Sequence, residues 1–440
     1  MLLRAAVIRR ESEKHVMREV RSIPQQSLRI LLFAVLLTSQ IAKASEPPQI
    51  SLELAVQRTL ERNPTLASLG YQIRAQEGEV LQAGLGPNPE LGLLVENVLG
   101  SGDLNGLDGA ETTLSLAWVL ERGKRQARLE TANAGVSLLE TETRVQRREA
   151  ATETARRFLD SLAFQARKTQ ALEAVTVAED TVSRITDRVK AGRAPDADLA
   201  RARAELARTK LRLEDFEHEQ ETSNRRLAAQ WGDRKPDFSG VAGDLLQLPR
   251  LARYAELSSS IQNNPDLQRY VTVARLRDAE LRLAKTHAKP DWRVNVGVRH
   301  LEQFGEQALV AGITIPLTTH NQNQGRIATA RANLQRADAD REKTEIEIET
   351  RLFALHQALQ HTLHTTKTLL DQVLPLTESA LSDTKRAYNA GRYGYFQLQQ
   401  VQNEMLDARL ALVETAISAH RHAIEIERLT GTVLTQGALR

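Results

Sequence analysis

The chain has 440 residues, of which 26% are charged and only 4% aromatic, and it contains no cysteine. This composition favours long helices packed edge to edge over compact cores, and the lack of cysteine excludes disulfides, thiol catalysis, cysteine-ligated zinc and acylation at an N-terminal cysteine. The net charge of +3 does not indicate nucleic-acid binding, because residues 1–44 hold eight Lys/Arg and three Glu (+5), which leaves 3 − 5 = −2 for the rest.

The first 44 residues predict a signal peptide. Basic residues precede an apolar run at residues 30–37 that is too short to span a bilayer. Small residues at 42 and 44 then form an A-x-A cleavage motif ahead of Ser45. A buried N-terminal helix is the alternative interpretation, and Met17 is an alternative start.

The rest of the chain repeats itself once. Four landmarks recur in the same order, two of them 201 residues apart and two 199 residues apart: Pro64 and Pro265, Pro89 and Pro290, the Ala-Gly-Arg triplets at 191–193 and 390–392, and Gly232 and Gly431. We therefore predict two tandem repeats, residues 45–240 and 241–440, each containing helix, strand, strand and a long helical hairpin.

Four segments alternate between apolar and polar residues with the period of a β-strand, at about 89–99, 112–120, 291–301 and 308–317. Each is about ten residues, the length of a tilted transmembrane strand with one apolar and one wet face. A half-buried soluble sheet would alternate in the same way, but the signal peptide and the absence of a globular core favour the membrane. The side chains expected to face lipid are Leu114, Leu116, Trp118, Trp292, Val294, Val296, Val298, Ile313 and Ile315.

Four strands are too few to close a membrane barrel, which needs about eight. An open edge in lipid would leave backbone groups without hydrogen bonds. The barrel must therefore be shared between chains, with eight strands from two copies or twelve from three.

Two long helices follow the strand pairs. Residues 124–189 contain no proline and predict roughly 100 Å of helix. The second helix covers about 325–389, where Pro375 should kink or break it. Each ends at a glycine-containing break, at about 191–197 and 390–396, and a further helix follows, so that each break predicts the tip of a hairpin.

These features together resemble the TolC-type outer-membrane efflux factors, across essentially the whole mature chain. Three segments resemble the cobalt–zinc–cadmium resistance branch of that family: GLGPNPELGLLVENVLGSG, LAWVLERGKR and GITIPLTTHNQNQGRIATARAN. The resemblance implies a homotrimer with a twelve-stranded β-barrel in the outer-membrane lipid, continuous with a long periplasmic α-barrel. It also implies a periplasmic adaptor protein at the hairpin tips and, through it, an inner-membrane RND-type pump.

By position, the resemblance makes Gly192, Arg193, Gly391 and Arg392 the adaptor-docking residues. A periplasmic gate in related channels carries an acidic residue shortly after the tip. Asp198 fits that place in the first half, and the corresponding residue in the second half is taken as Gln400. Tyr395 and Phe396 are candidates for an apolar constriction.

No constellation for catalysis or cofactor binding is present. The sequence has no nucleotide-binding loop and no H-E-x-x-H motif, so we expect no enzyme and no cofactor. His361 and His364 have the i, i+3 spacing of one helix face, but we interpret the histidines as solvated side chains and predict no metal site. Strong ligation would also block flow through a conduit.

The sequence thus predicts a passive outer-membrane channel that exports cations such as cobalt, zinc or cadmium. Two alternatives remain open. The same fold could serve multidrug efflux or type I protein secretion, or the chain could be a periplasmic coiled-coil adaptor or structural protein without a barrel.

Overall fold

A computed structural model describes residues 49–317 and 323–435 of the chain, and the predicted signal peptide (1–44) lies outside the described residues. The described part is mainly helical. Its helices are α1 (Leu52–Arg62), α2 (Pro64–Ala83), α3 (Lys124–Lys190), α4 (Asp196–Ala228), α5 (Tyr254–Ser260), α6 (Pro265–Thr286), α7 (Gln324–Thr368), α8 (Leu374–Asn389) and α9 (Tyr395–Thr430).

One antiparallel sheet is formed by the strand pairs of both repeats, in the order β1-β2-β3-β4. Its strands are β1 (Glu90–Glu96), β2 (Glu111–Leu120), β3 (Trp292–Leu301) and β4 (Glu306–Thr314). Each strand overlaps the segment predicted for it. β1 ends earlier than expected because Asn97 and Leu99 have positive φ angles of 58° and 55°, and β4 ends at Thr314, so that Ile315 lies beyond it.

In both repeats the second helix begins with an asparagine N-cap followed by proline. The side-chain oxygen of Asn63 accepts a hydrogen bond from Thr65 N at 2.9 Å, and that of Asn264 accepts one from Asp266 N at 2.7 Å. Each asparagine precedes a proline, the residue that suits the first helical position because its missing N–H would have no partner there. The Asn63 amide also donates to Gln230 O, and the Asn264 amide to Leu429 O, both at 2.7 Å. Each asparagine therefore joins the start of its repeat to the end of the same repeat.

The long helices match their predicted lengths. α3 runs without interruption for 67 residues. Its counterpart is divided into α7 and α8 by a π-helical segment, Leu369–Val373, which ends two residues before Pro375. Proline cannot donate to the i−4 carbonyl, and the wider π turn accommodates the missing bond without ending the helix.

Two compact hydrophobic clusters, which the composition did not predict, lie around the middle of the long helices. The first includes Phe158, Trp231 and Ile417, and the second includes Leu352, Leu257 and Ile426. They form because the segments that follow α4, residues 229–263, fold back over the long helices and contribute side chains to both clusters. The predicted repeat boundary at 240/241 falls in this region, where Ile50 forms a parallel bridge with Val241.

Helices and strands follow the same lateral order. α2 packs on α3, α3 on α6, and α6 on α7, and these helices are joined directly to β1, β2, β3 and β4, respectively. Within the described ranges, none of the helices combines the length and the apolar composition needed to cross a membrane.

Candidate membrane sheet and docking tips

One face of the sheet is apolar along all four strands. Side chains that are paired across neighbouring antiparallel strands point to the same face. The register places Leu93, Leu114, Val298 and Leu309 in one row and Leu91, Leu116, Val296 and Ala311 in the next. Many of these side chains are exposed, and Leu309 reaches 84%. Eight of the nine residues predicted to face lipid share this face: Leu114, Leu116, Trp118, Trp292, Val294, Val296, Val298 and Ile313.

The opposite face of the sheet carries ion pairs. Arg299 bonds Glu111 through Nη1 at 2.6 Å and Glu96 through Nη2 at 3.1 Å, and its Nε donates to Thr113 Oγ1 at 2.9 Å. Arg293 pairs with Glu90 at 3.0 Å. These charges were not among the predicted site residues, although both arginines occupy odd-numbered positions of residues 292–299, on the polar side of the alternating pattern. A sheet with one exposed apolar face and one charged face matches strands that lie between lipid and water.

The two hairpin tips have the same backbone. At the first tip (residues 191–195) Arg193 N donates to Arg188 O at 2.7 Å, and at the second (residues 390–394) Arg392 N donates to Ala387 O at 2.9 Å. These are the six-to-one bonds of the Schellman motif, which needs a left-handed residue just after the helix. Gly192 and Gly391 supply it, with φ angles of 67° and 74°. Open space surrounds both glycines, so backbone conformation rather than packing requires them.

The two tips pack against each other through a small cluster. Arg188 Nη1 donates to Tyr388 O at 2.7 Å, and the guanidinium carbon lies 4.3 Å from the centre of the Tyr388 ring. Burial raises the pKa of the Tyr388 and Tyr395 hydroxyls; for Tyr388 it outweighs the opposing effect of Arg188. The buried members of this tip cluster are Ile185, Ala202, Tyr388, Tyr395 and Leu398.

The expected docking residues and part of the expected gate lie at the surface of the tips. The side chains of Arg193 and Arg392 are exposed, and Phe396 is 64% exposed. Tyr395 is only 4% exposed, because its ring packs inside the tip cluster. Its ring is therefore not available to a constriction, unlike that of Phe396.

The structure also corrects the match between the two halves at the gate. α4 begins at Asp196 and α9 at Tyr395. Counted from the helix start, the residue in the place of Asp198 is Gln397, and Gln400 lies almost one turn further on. The Gln397 side chain accepts a bond from Gly394 N at 3.1 Å, whereas Gln400 is exposed and donates to Glu404 at 3.1 Å.

Two histidines lie within hydrogen-bonding distance of backbone carbonyl oxygens. His356 Nε2 lies 3.1 Å from Ala252 O, and His420 Nε2 lies 3.0 Å from Leu245 O. Burial lowers the pKa of His420. Within residues 49–317 and 323–435, no group of three or more His, Asp or Glu side chains is arranged to hold a metal ion.

Comparison with known proteins gives relatives along most of the chain. A family model described as "Outer membrane efflux protein" matches residues 55–233. The cobalt-zinc-cadmium resistance protein CzcC of Cupriavidus metallidurans is 24% identical over 383 residues, which cover 87% of this chain and 90% of that protein. The nickel and cobalt resistance protein CnrC of the same organism is 24% identical over 313 residues, 71% of this chain and 73% of that protein.

The fold also matches a solved structure. The outer membrane protein VceC from Vibrio cholerae is similar with a TM-score of 0.70 at 19% identity, and the match covers 87% of this chain and 96% of that chain. The four-stranded sheet and the long hairpins thus form the same fold as that outer membrane protein. Residues 55–233 thus match the outer membrane efflux protein family, and the relatives along most of the chain agree with the resemblance seen in the sequence.

Proposed function

We propose that this protein is the outer-membrane channel of a tripartite efflux system that exports heavy-metal cations such as cobalt, zinc or cadmium. The observation that carries the proposal is the similarity to CzcC, which covers 87% of this chain and 90% of that protein. Similarity to a nickel and cobalt resistance protein supports the same class of substrate.

The sheet supports a shared barrel. β1 and β4 are its free edges, and unpaired edges are costly in lipid because their backbone groups find no hydrogen-bond partners. Three copies would bring twelve strands together, with the apolar faces towards lipid and the ion-paired faces towards a wet lumen. The protein then acts as a homotrimer and a passive conduit rather than an enzyme.

The tips support contact with a periplasmic adaptor, and through it with an inner-membrane RND pump. Both tips present a glycine turn followed by an exposed arginine, Arg193 or Arg392. The turns are held from within by the tip cluster, so that these arginines are free to bind a partner. Asp198 and Phe396, which follow the turns, would line the periplasmic entrance.

Passage of a metal ion needs contacts that exchange readily, since strong ligation would block flow. The polar face of the sheet offers contacts of this kind. Glu96 and Glu111 are already paired with Arg299, which weakens their attraction for a passing cation.

The test is growth of a deletion strain on two panels of compounds, one of zinc, cobalt, cadmium, nickel and copper salts and one of hydrophobic drugs and dyes. We expect selective sensitivity to metals, restored by the intact gene. Drug sensitivity without metal sensitivity would contradict the metal substrate and assign the channel to multidrug efflux. A protein that is recovered from the soluble periplasm instead of the outer membrane would contradict the channel itself.

A further inference from the structure

Two histidines on α7, His361 and His364, face outward without a partner. Both side chains are exposed, and within residues 49–317 and 323–435 neither imidazole makes a hydrogen bond or an ion pair. His356, earlier on the same helix, and His420 on α9 instead contact backbone carbonyl oxygens. The ring nitrogens of His361 and His364 are therefore available to a ligand from outside the chain.

The neighbouring side chains leave both imidazoles free. Thr365 Oγ1 donates to His361 O and Thr368 Oγ1 donates to His364 O, both at 3.0 Å, so the main chain holds the two hydroxyls. From residue 352 to residue 370 the only charged side chain is Lys367. No carboxylate in this stretch competes for the imidazoles, and the nearby ammonium group keeps the attraction for a cation weak.

The pair lies on the side of α7 that faces away from the other described helices. Leu352, Leu359 and Thr366 are buried and recur every seven residues, which marks the packed side of α7. With 3.6 residues per turn, the positions of His361 and His364 fall almost opposite these three. An ion in solution can therefore reach both imidazoles without displacing a packed side chain.

The spacing of the pair suits two ligands of one metal ion. Residues three apart on a helix have Cβ atoms about 5–6 Å apart. Long side chains on a helix lean towards its N-terminus, which carries the ring of His364 towards that of His361. A divalent ion bound to two imidazole nitrogens at about 2.0–2.1 Å holds them roughly 3 Å apart. The two rings can reach that separation by rotation about their side-chain bonds.

The chemistry of the donors selects the kind of ion. Neutral imidazole suits zinc, copper, nickel and similar divalent transition metals, whereas magnesium and calcium prefer carboxylate, carbonyl and water oxygens. Gln357 is exposed one turn before His361 on the same side of the helix, so its amide oxygen can supply a third contact. Water would complete the coordination.

We propose that His361 and His364 form an exchangeable binding site for a divalent transition-metal ion on the exposed side of α7. Their spacing alone did not indicate such a site, because the exposure and the free nitrogens are features of the fold. Two imidazoles hold an ion less firmly than the four protein ligands of a structural zinc site, as a conduit requires of its contacts. As a contact for the exported cation the site rests on the proposed function, whereas the binding itself does not.

The experiment measures metal binding by the untagged protein, purified from outer membranes in detergent. On a chelating resin charged with Ni²⁺, the wild type should be retained and His361→Gln/His364→Gln should pass through. In equilibrium dialysis each single variant should bind Ni²⁺ about tenfold or more weakly, because the second ligand of a pair binds at a high effective concentration. The affinity of the wild type should rise from Co²⁺ to Ni²⁺ to Cu²⁺, and Mg²⁺ should not compete.

Two variants of identical composition test the geometry, since each exchanges one histidine with an exposed glutamine. Gln357→His/His364→Gln places the new histidine four residues before His361, on the same side of the helix, and should keep the retention. Gln360→His/His364→Gln makes the two histidines adjacent, on different sides of the helix, and should lose it. His356 does not rescue this second variant, because its Nε2 contacts a backbone carbonyl and its Nδ1 is buried.

The control for binding by isolated histidines is His218→Gln/His287→Gln, which removes two exposed histidines that have no second histidine within one helical turn. Its retention should equal that of the wild type. Unchanged retention of His361→Gln/His364→Gln, or equal retention of the two rearranged variants, would overturn the site. The proposed function fails separately, as an intact wild-type gene that does not restore metal tolerance while the purified protein still binds Ni²⁺ through this pair.

Discussion

At the sheet, leucines and valines are exposed while Arg299 is held in ion pairs. At the tips, by contrast, the rings of Tyr388 and Tyr395 are buried, and Arg193 and Arg392 are exposed. Both ends are built from the same kinds of residue. They differ in which residues meet the surroundings, so the two ends are adapted to different surroundings.

The tip cluster follows the rule of soluble proteins, in which large apolar side chains pack inside and charged ones face water. The sheet reverses that rule on one of its faces, which is favourable only where the surroundings are as apolar as the side chains. A new charge on the apolar face of the sheet should therefore destabilise the protein in the membrane. A changed charge at the exposed tip should leave the fold intact.

The largest effect is expected from Val296→Asp. Val296 lies in the middle of the apolar face, opposite Leu116. A charged side chain at mid-bilayer on the lipid face of a barrel costs up to about 2–4 kcal/mol, with carboxylates at the lower end. Three copies in a trimer multiply that cost, so we expect loss of the heat-resistant trimer from outer-membrane fractions on gels.

Asn295→Asp is the matched control, because the neighbouring residue points to the polar face. It introduces the same carboxylate one position away and should leave trimer levels unchanged. Equal trimer levels in both variants would mean that the apolar face does not meet lipid.

Arg392→Glu should disable efflux while the trimer remains at wild-type level. The residue is exposed at the second tip, and its guanidinium has no ion-pair partner among the described residues, so reversal of its charge should act on a partner rather than on the fold. The measurements are metal tolerance of the complemented deletion strain and trimer content of the same cells.

The control for charge reversal is Arg212→Glu. Arg212 is also exposed but lies on α4, roughly 24 Å of helix beyond the first tip. Metal tolerance should persist in this variant. If Arg392→Glu is equally tolerant, the second tip does not contribute a cation to adaptor binding.

Local sequence signals were sufficient for much of the architecture. Alternation with period two located all four strands, because the side chains of residues 292–299 reveal both faces without knowledge of their partners. The tips were also predicted from a local signal, because a glycine after a long helical pattern indicates the left-handed residue that ends the helix. Pro375 likewise predicted an interruption, which takes the form of a π turn.

Contacts between residues far apart in the sequence could not be predicted from local patterns. Arg188 and Tyr388 are 200 residues apart, and nothing near either one indicates the other. The same holds for Arg299 with Glu111 and for the clusters that the segment after α4 completes. The assignment of Gln400 was a different kind of error, because the 199-residue spacing of the tip glycines already pairs Asp198 with Gln397.

A smaller effect is expected at the contact that joins the two tips. Arg188→Ala removes a hydrogen bond to Tyr388 O and a cation–ring contact, which together are worth about 1–2 kcal/mol. The Tyr388 carbonyl keeps its bond from Gly391 N at 3.0 Å, so no buried group is left without a partner. We expect faster amide hydrogen exchange in residues 388–394 and no change in trimer content.

Arg193→Ala is the control for this contact, because that arginine is exposed rather than packed on a ring. Its exchange rates at 388–394 should match those of the wild type. Unchanged exchange in Arg188→Ala as well would show that packing of Ile185, Leu398 and the tyrosines is sufficient to hold the tips together.

The smallest effect is expected from replacing a tip glycine by alanine, which tests whether backbone conformation or packing requires the glycine. Gly391 and Gly70 both lie in open space, where an added methyl group would touch nothing within 4 Å. Only Gly391 has a positive φ, at 74°, where an L-residue costs roughly 1–2 kcal/mol. Gly70 lies inside α2, where alanine is favoured over glycine by about 0.5–1 kcal/mol. Gly391→Ala should therefore lower the midpoint of thermal unfolding and Gly70→Ala should raise it, and shifts of the same sign would contradict the left-handed turn at the second tip.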